Sequence, residues 1–580
     1  MNETFPRHCQ MKPSTSLPDE TFHVIASEAW QSHKTTSNMK RTIYTAALAA
    51  LLTSCVGDLN TLPLNRTEPV SEYVYGTSRE AYLAGLTKLY FQFVSNDLTD
   101  MQPMDGGASE LIRAFWSVQE TTTDEAKCSW ENDAWVRALN TNTWTGVQND
   151  AIYAVYVRTL QGVAFVNEYL RQTAPDRLAD RGVSSELASE IAVYRAEARF
   201  IRAYLYWMAL DCFGNVPFTT ENSPFGGTYF PQQVTRQELY GFCVKELQEL
   251  LSDQSALPAP QSNYPRADKG SAAGLLARIY LNAEVYTGVP QWSEAKSMCE
   301  EIFDMGYTLS GSYSDLFRGD NGQNPSARCE FLWAVDYDDN NINSYGGTTY
   351  ILSASMASTD ITDQSRPNGQ VNGWAGLRAP YEFVSEYFNV SGQDYVTGFY
   401  VVEDQRGSTF YIKGRKESMD GALYDFMSGW TSLKYNNIPH DQTNQSYLPQ
   451  SATMNNSNVD FPMIRLAEIY LIYAEACMQL GESGLAQPYL AALAQRAGVA
   501  APSEITTDFL LAERARELYW EAHRRTDLIR FGVFTSADYL WPYKGGDSYS
   551  GTSFPDYKCL FPIPPTELAT NKALVQNPGY

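Results

Sequence analysis

The chain has 580 residues, 44% hydrophobic and 13% aromatic, with a formal net charge of −24 from 43 Lys+Arg against 67 Asp+Glu. That length and apolar content suffice for a large buried core and, as a prior, several domains. A chain this acidic repels phosphate backbones and has no basic run to offset the total, so nucleic-acid binding is excluded. The 38 Tyr, 26 Phe and 12 Trp exceed what a core must absorb, and exposed rings serve recognition.

Residues 1–38 hold three of the five His, one Cys and no periodicity, and Met39 stands where a signal peptide should begin. They read as a mis-called start or a disordered leader. Lys40 and Arg41 then precede a short apolar run that ends in Leu52-Thr53-Ser54-Cys55. The run is the length of a signal-peptide core and too short to span a bilayer. Its end resembles the lipobox of bacterial lipoproteins, which makes 39–54 a signal peptide, Cys55 the lipidated residue and 55–75 a tether. No other stretch reaches 18 apolar residues, so the membrane is met by a lipid anchor only.

Amphipathic stretches follow near 79–93 and 147–171. From Ile191 the apolar positions are Tyr194, Ala198, Ile201, Leu205, Met208 and Cys212, in steps of 3 and 4 that mark one helix face. Arg195, Arg199 and Arg202 ride a second face, and Gly214 and Pro217 stop the helix. Further helices are predicted over 236–251, through Ala272, Leu275, Ile279, Ala283 and Tyr286, and over 292–304. Residues 310–460 change texture to Gly, Asn, Ser, Asp and Tyr, with short alternating runs such as Phe410-Tyr411-Ile412-Lys413. That length suits an irregular second region packed on the helices, better placed than they are for recognition. Helical spacing returns at Leu466, Ile469, Tyr473, Ala476 and Leu480, and again from Leu511 through Ala515, Leu518, Ala522 and His523.

Small Ala residues recur on these faces and allow close helix approach, without a clean repeat period. The expected fold is mainly α: a tetratricopeptide-like superhelix of helical hairpins with a loop-rich second region. Its parts would be 76–309, 310–460 and 461–580.

Cys128, Cys212, Cys243, Cys299, Cys329, Cys477 and Cys559 form no CxxC pair, which suggests buried thiols and leaves one disulfide open. After the signal peptide only His440 and His523 remain, and no nucleophile elbow, phosphate loop or HExxH appears. The expectation is a protein that is not an enzyme and needs no cofactor. A surface glycoside hydrolase is the alternative, because two carboxylates suffice for that chemistry. The run Asp336-Tyr337-Asp338-Asp339-Asn340-Asn341 is a weak calcium candidate without the ligand order of an EF-hand. Trp130 and Trp374 stand in polar, Gly- or Asn-rich surroundings that suit surface recognition, whereas Trp430 and Trp541 read as structural.

Glu197-Ala198-Arg199-Phe200-Ile201-Arg202-Ala203-Tyr204, followed by Phe213-Gly214-Asn215-Val216-Pro217-Phe218, resembles the hallmark helix and turn of the SusD/RagB family. So do Glu513-Arg514-Ala515-Arg516-Glu517-Leu518 with His523 to Gly532, and the ending Leu560-Phe561-Pro562-Ile563-Pro564-Pro565 with Gln576-Asn577-Pro578-Gly579-Tyr580. The resemblance implies an outer-membrane lipoprotein facing outward, partnered with a SusC-like TonB-dependent transporter over whose mouth it sits as a lid. Arg266-Ala267-Asp268-Lys269, Tyr345-Gly346-Gly347-Thr348-Thr349-Tyr350 and Asn372-Gly373-Trp374 are similar to the starch-binding type of the family. In that type an arc of three aromatics cradles a helical α-glucan, which places the arc on Trp130, Tyr345 and Trp374 with polar partners Arg113, Asn132 and Asp133. The sequence departs at Glu131-Asn132-Asp133, where Asp133 takes the place of the family's Asn and an Asn lies one residue earlier. The implied role is capture of a polysaccharide or oligosaccharide, starch or another α-glucan first and a different glycan second. Pyranose C–H faces pack on aromatic rings while side-chain amides and charges take the hydroxyls.

Overall fold

The computed structural model describes residues 74–580 except 97–106, 131, 225, 227–228, 362–366, 395–396 and 444–455. The leader 1–38, the signal peptide, Cys55 and most of the 55–75 tether lie outside the described residues. The chain is mainly helical, with a few short strands in separate two-stranded ladders.

The helices that build the framework are α1 (Arg79–Phe91), α2 (Leu111–Glu120), α3 (Asp150–Gln172), α4 (Ser185–Phe213), α5 (Arg236–Leu251), α6 (Lys269–Leu281) and α7 (Trp292–Phe303). After them come α8 (Gly347–Ser355), α9 (Leu466–Gln479), α10 (Thr507–Leu518) and α11 (Arg524–Arg530). Their starts are written in the sequence: Ser184 accepts the Leu187 amide, and Thr235 with Glu238 forms a capping box for α5. The apolar stripe Ile191, Ala198, Ile201, Leu205 and Met208 is buried. Each helix packs on the next, α3 on α4, α4 on α5, α5 on α6 and α6 on α7. The series then jumps: α7 packs on α9, and α9 on α10. The long loop-rich segment between α7 and α9 therefore leaves and rejoins a continuous helical stack. This is the tetratricopeptide-like arrangement that the small residues on the helix faces allow.

Four short strands pin the loop-rich segment in place. β1 (Lys127–Cys128) pairs antiparallel with β3 (Leu377–Arg378), and β2 (Phe331–Val335) pairs antiparallel with β4 (Phe461–Arg465). A buried ion network adds a second tie to the stack. Arg465 donates to Glu330 (2.9 Å), Glu517 (2.6 Å) and Glu521 (2.7 Å), while Arg406 donates to Asp404 (2.6 Å), Glu513 (2.8 Å) and Glu517 (2.9 Å). Burial opposes the charge of Glu517, yet Arg496, Arg465 and Arg406 hold its carboxyl well below the usual range.

Three expectations need correction. The helix through Ala272 and Tyr286 is broken at Asn282, whose side chain donates back to the Arg278 carbonyl (2.9 Å) and starts a separate turn, Ala283–Thr287. The helix expected to run from Leu511 through His523 ends at Leu518. Trp520 and Ala522 take positive φ values of 62° and 64°, and His523 instead precedes α11. Tertiary contacts set that break: the Trp520 amide and indole N–H both reach Glu125, at 2.9 and 3.0 Å, and the Trp116 indole donates to the Trp520 carbonyl at 2.9 Å. Third, all seven described cysteines are free thiols and five of them are buried, so the open disulfide is not made among them. In the acidic run, Asp338 accepts from the Asn340 amide (2.8 Å) and the Asn341 side chain (2.5 Å), closing its own turn.

Candidate functional site

Trp130 follows β1, and β1 is held on both sides. Its partner β3 supplies one set of hydrogen bonds, and Asn140 supplies another, accepting the Cys128 amide (3.0 Å) and donating to the Cys128 carbonyl (2.7 Å). The ladder is prolonged by the Ser129 amide, which donates to the Gly376 carbonyl (2.8 Å), and by the Trp130 indole, which donates to the Ala375 carbonyl (3.0 Å). Gly376 has φ 128°, and a Cβ there would lie 2.5 Å from the Trp130 indole nitrogen, so the seat of the ring demands glycine.

Trp374 is therefore one residue from the carbonyl that carries Trp130. Its own amide donates to the Ser353 carbonyl in α8 (2.8 Å), and the Ala375 amide donates to the Met356 carbonyl (2.7 Å). The Ser358 hydroxyl closes the turn on Asn372 (2.7 Å) and on the Gly373 carbonyl (2.6 Å). Tyr345 comes from the other end of α8, two residues before its first residue. Its ring is 53% exposed and stands 6.0 Å from the Trp374 ring at an interplanar angle of 54°. Trp130 and Trp374 are half-buried.

Arg113 of α2 lies behind these rings. Its guanidinium sits 5.6 Å from the Trp130 ring centre and 4.3 Å from that of Tyr350, and donates to the Tyr345 carbonyl at 3.2 Å. Trp130 meets the Tyr350 ring edge-on at 5.9 Å. At 2% exposure, Arg113 chiefly supports the platform, which narrows its expected role as a partner for sugar hydroxyls. Asn132 is exposed, and the half-buried Asp133 opens the short helix Ala134–Asn140 without a side-chain cap bond. Tyr350 is the residue that sequence reasoning missed as a member of the cluster. It closes the Tyr345 to Tyr350 run, but its contact with Arg113 is made only in the tertiary structure.

The structure thus brings Trp130, Tyr345 and Trp374 together: the Trp130 ring and the Tyr345 carbonyl meet the buried Arg113 guanidinium, and Trp374 packs against the Tyr345 ring. None of the three rings lines the cavity of about 290 Å³ walled by Leu83, Leu86, Phe93 and Trp333. Trp430 and Trp541 are buried. Two His lie among the described residues. His440 is exposed and paired with Asp320, and His523 is buried, where desolvation and then the charges of Arg278 and Arg514 push its pKa far down.

The chain is 30% identical over 576 residues to the starch-binding protein SusD of Bacteroides thetaiotaomicron, covering 93% of this chain and 98% of that one. The chain belongs to the SusD family. Family models agree: "SusD family" matches residues 329–580, and "Starch-binding associating with outer membrane" matches residues 98–281. A SusD-like protein of Bacteroides ovatus is 24% identical, over 85% of this chain and 82% of its own length. Among solved structures, a SusD-like protein from Bacteroides fragilis superposes with a TM-score of 0.65 at 17% identity, covering 90% of this chain and all of that one. Surface glycan-binding protein A from Bacteroides thetaiotaomicron, solved with laminarihexaose, gives 0.63 at 21% identity, covering 86% and 99%. At those identities the likeness is one of fold, and it places the helical stack described above among SusD-like structures.

Proposed function

We propose that this SusD-family chain is a cell-surface glycan-binding lipoprotein. It captures a polysaccharide or oligosaccharide, most naturally starch or another α-glucan, and passes it to a SusC-like TonB-dependent transporter without cleaving it. The observation that carries the reading is the inclined ring pair Tyr345 and Trp374, with Trp130 beside it, in which Tyr345 is exposed and both Trp rings reach solvent in part. Open aromatic platforms suit long chains of sugar rings, which a closed pocket would have to cut or exclude. Asn132 and Asp133, next to Trp130, are the polar groups placed for hydroxyls, and Cys55 is the proposed lipid anchor. Support for outer-membrane association comes from the family description, and among the described residues no helix is long and apolar enough to cross a membrane.

The test is affinity gel electrophoresis of residues 56–580 on amylopectin, pullulan, laminarin and xylan, followed by calorimetry. Retardation by α-glucans, lost in Trp374→Ala, supports the α-glucan reading. Retardation only by laminarin would keep glycan capture and replace the specificity, which the laminarihexaose complex of the structural neighbour makes the second reading. Sustained release of reducing ends from soluble starch would overturn the non-catalytic role in favour of a glycoside hydrolase.

A further inference from the structure

Glu110 occupies the N-cap position of α2, a place where Ser, Thr, Asp and Asn are usual. Its side chain is fully buried and takes three hydrogen bonds. Oε2 accepts the Arg113 amide (2.6 Å) and the Gly347 amide (2.9 Å), and Oε1 accepts the Tyr337 hydroxyl (2.6 Å). The donors come from three separate pieces of chain: α2, the stretch just after β2, and the first residue of α8. Two consecutive glycines are shaped around this contact. A Cβ on Gly346 would lie 2.4 Å from Glu110 Cβ, and one on Gly347, at φ 48°, would lie 1.7 Å from the Tyr337 hydroxyl. The Tyr345-Gly346-Gly347 sequence thus bends over a buried carboxylate, and Arg113, whose amide that carboxylate holds, donates to the Tyr345 carbonyl.

We infer that Glu110 is a positioning residue for the glycan platform, its ionised carboxylate setting where the Tyr345 ring stands relative to Trp374. The inference rests on the reading of those rings as the glycan site. Glu110 touches no ligand. It acts through the Gly347 amide on one side of Tyr345 and through Arg113 on the other.

The charged and titratable groups facing it are Arg113 on its own helix, Arg158 on α3 and Tyr337, with Asp460 accepting the Tyr337 amide (3.1 Å) beyond. Burial pushes the Glu110 carboxyl up to about 7, against the pull of the Tyr337, Arg113 and Gly347 hydrogen bonds and the Arg158 charge. The added proton settles on Oε1, where the Tyr337 hydroxyl can turn to accept it, and the Arg113 and Gly347 amides keep Oε2 but lose the charge that strengthens their bonds. The brace is therefore complete above that pH and loosened below it.

Two readouts on the full chain test this. With fluorotyrosine labelling and the Tyr345 signal identified by Tyr345→Phe, the ligand-free protein is titrated by fluorine NMR between about pH 6 and about pH 8. The Tyr345 resonance should move with a midpoint near 7, stay fixed in Glu110→Gln, and move at a higher midpoint in Tyr337→Phe, which removes a donor to the carboxylate. In parallel, maltoheptaose affinity should rise about tenfold over the same range in the natural protein and stay flat and weak in Glu110→Gln. A Tyr345 signal that does not titrate, or titrates equally in Glu110→Gln, overturns the inference. Glycan affinity unchanged by Trp374→Ala would instead sink the platform reading, while the fluorine titration still decides whether Glu110 sets Tyr345.

Discussion

The Tyr345 and Trp374 rings meet at 54° with centres 6.0 Å apart at opposite ends of α8, where the Tyr345 carbonyl accepts from the Arg113 guanidinium and the Trp374 amide donates to the Ser353 carbonyl. Because both ends of one short helix carry the rings, their angle is a property of the scaffold. A ligand that curves between successive sugars can touch both faces, whereas a flat chain lying on one ring leaves the other. Preorganisation of this kind saves the ordering cost that a flexible platform would incur on binding.

The rings should carry most of the affinity. Trp374→Ala and Tyr345→Ala are each expected to weaken α-glucan binding by about 2 kcal/mol or more, with the exposed Tyr345 change leaving stability within about 0.5 kcal/mol. Calorimetry on maltoheptaose and thermal unfolding measure the two effects; unchanged affinity in both variants would remove the rings from the site.

Gly376 tests the seat of Trp130 without touching any ligand. Gly376→Ala imposes φ 128° on a residue with a Cβ and drives it into the indole nitrogen, which should cost about 1–3 kcal/mol and displace Trp130. Gly392→Ala, where nothing lies within 4 Å of the new methyl, is the control. If both variants unfold at the same urea concentration, the close approach is not the constraint described here.

Arg465 joins three buried carboxylates from different parts of the chain. Arg465→Ala leaves Glu330, Glu517 and Glu521 short of a counter-charge, and the expected loss is about 3–5 kcal/mol. Urea midpoints give the number, and a loss near zero would mean that Arg496 and Arg406 already neutralise the cluster.

Stability should also fall as pH rises through the acidic range because of Glu120. Burial pushes this carboxyl up to about 7, above its ordinary 4.5, although its hydrogen bond with Glu125 and the Ala522 and His523 amides favour the charged form. Glu125, buried beside it and also pushed up, titrates with it, so the folded values of the pair lie above the unfolded ones and the folded state holds the extra proton over a window that opens near pH 4.5. Stability from this group is therefore full below that window and lost on rising through it. Glu120→Gln should gain on the natural protein from pH 5 to about pH 8 in melting temperature, and a constant difference across that range would contradict the assignment.

Much of the scaffold was legible in the chain itself. Apolar residues spaced by 3 and 4 mark a helix face because burial selects one side of a 3.6-residue turn, and α4, α5, α7 and α9 follow that pattern closely. The break at Leu518 was not legible, because Trp520 leaves the helix for its partners Glu125 and Trp116, 395 and 404 residues away. Tyr350 and Glu110 were missed for the same reason: nothing local distinguishes a ring or carboxylate in contact with Arg113 from one buried elsewhere.

The sequence by itself determined the helical stack, the order of its parts and, through long motifs, the family, since each of these rests on local periodicity or on contiguous residues. Only the tertiary structure decided that Trp130, Tyr345 and Trp374 share one surface, at what angle two of them meet, and that Arg113 works beneath them. Those facts depend on a two-residue ladder between β1 and β3 and on glycines that let backbones touch, contacts across more than two hundred residues that no local pattern encodes.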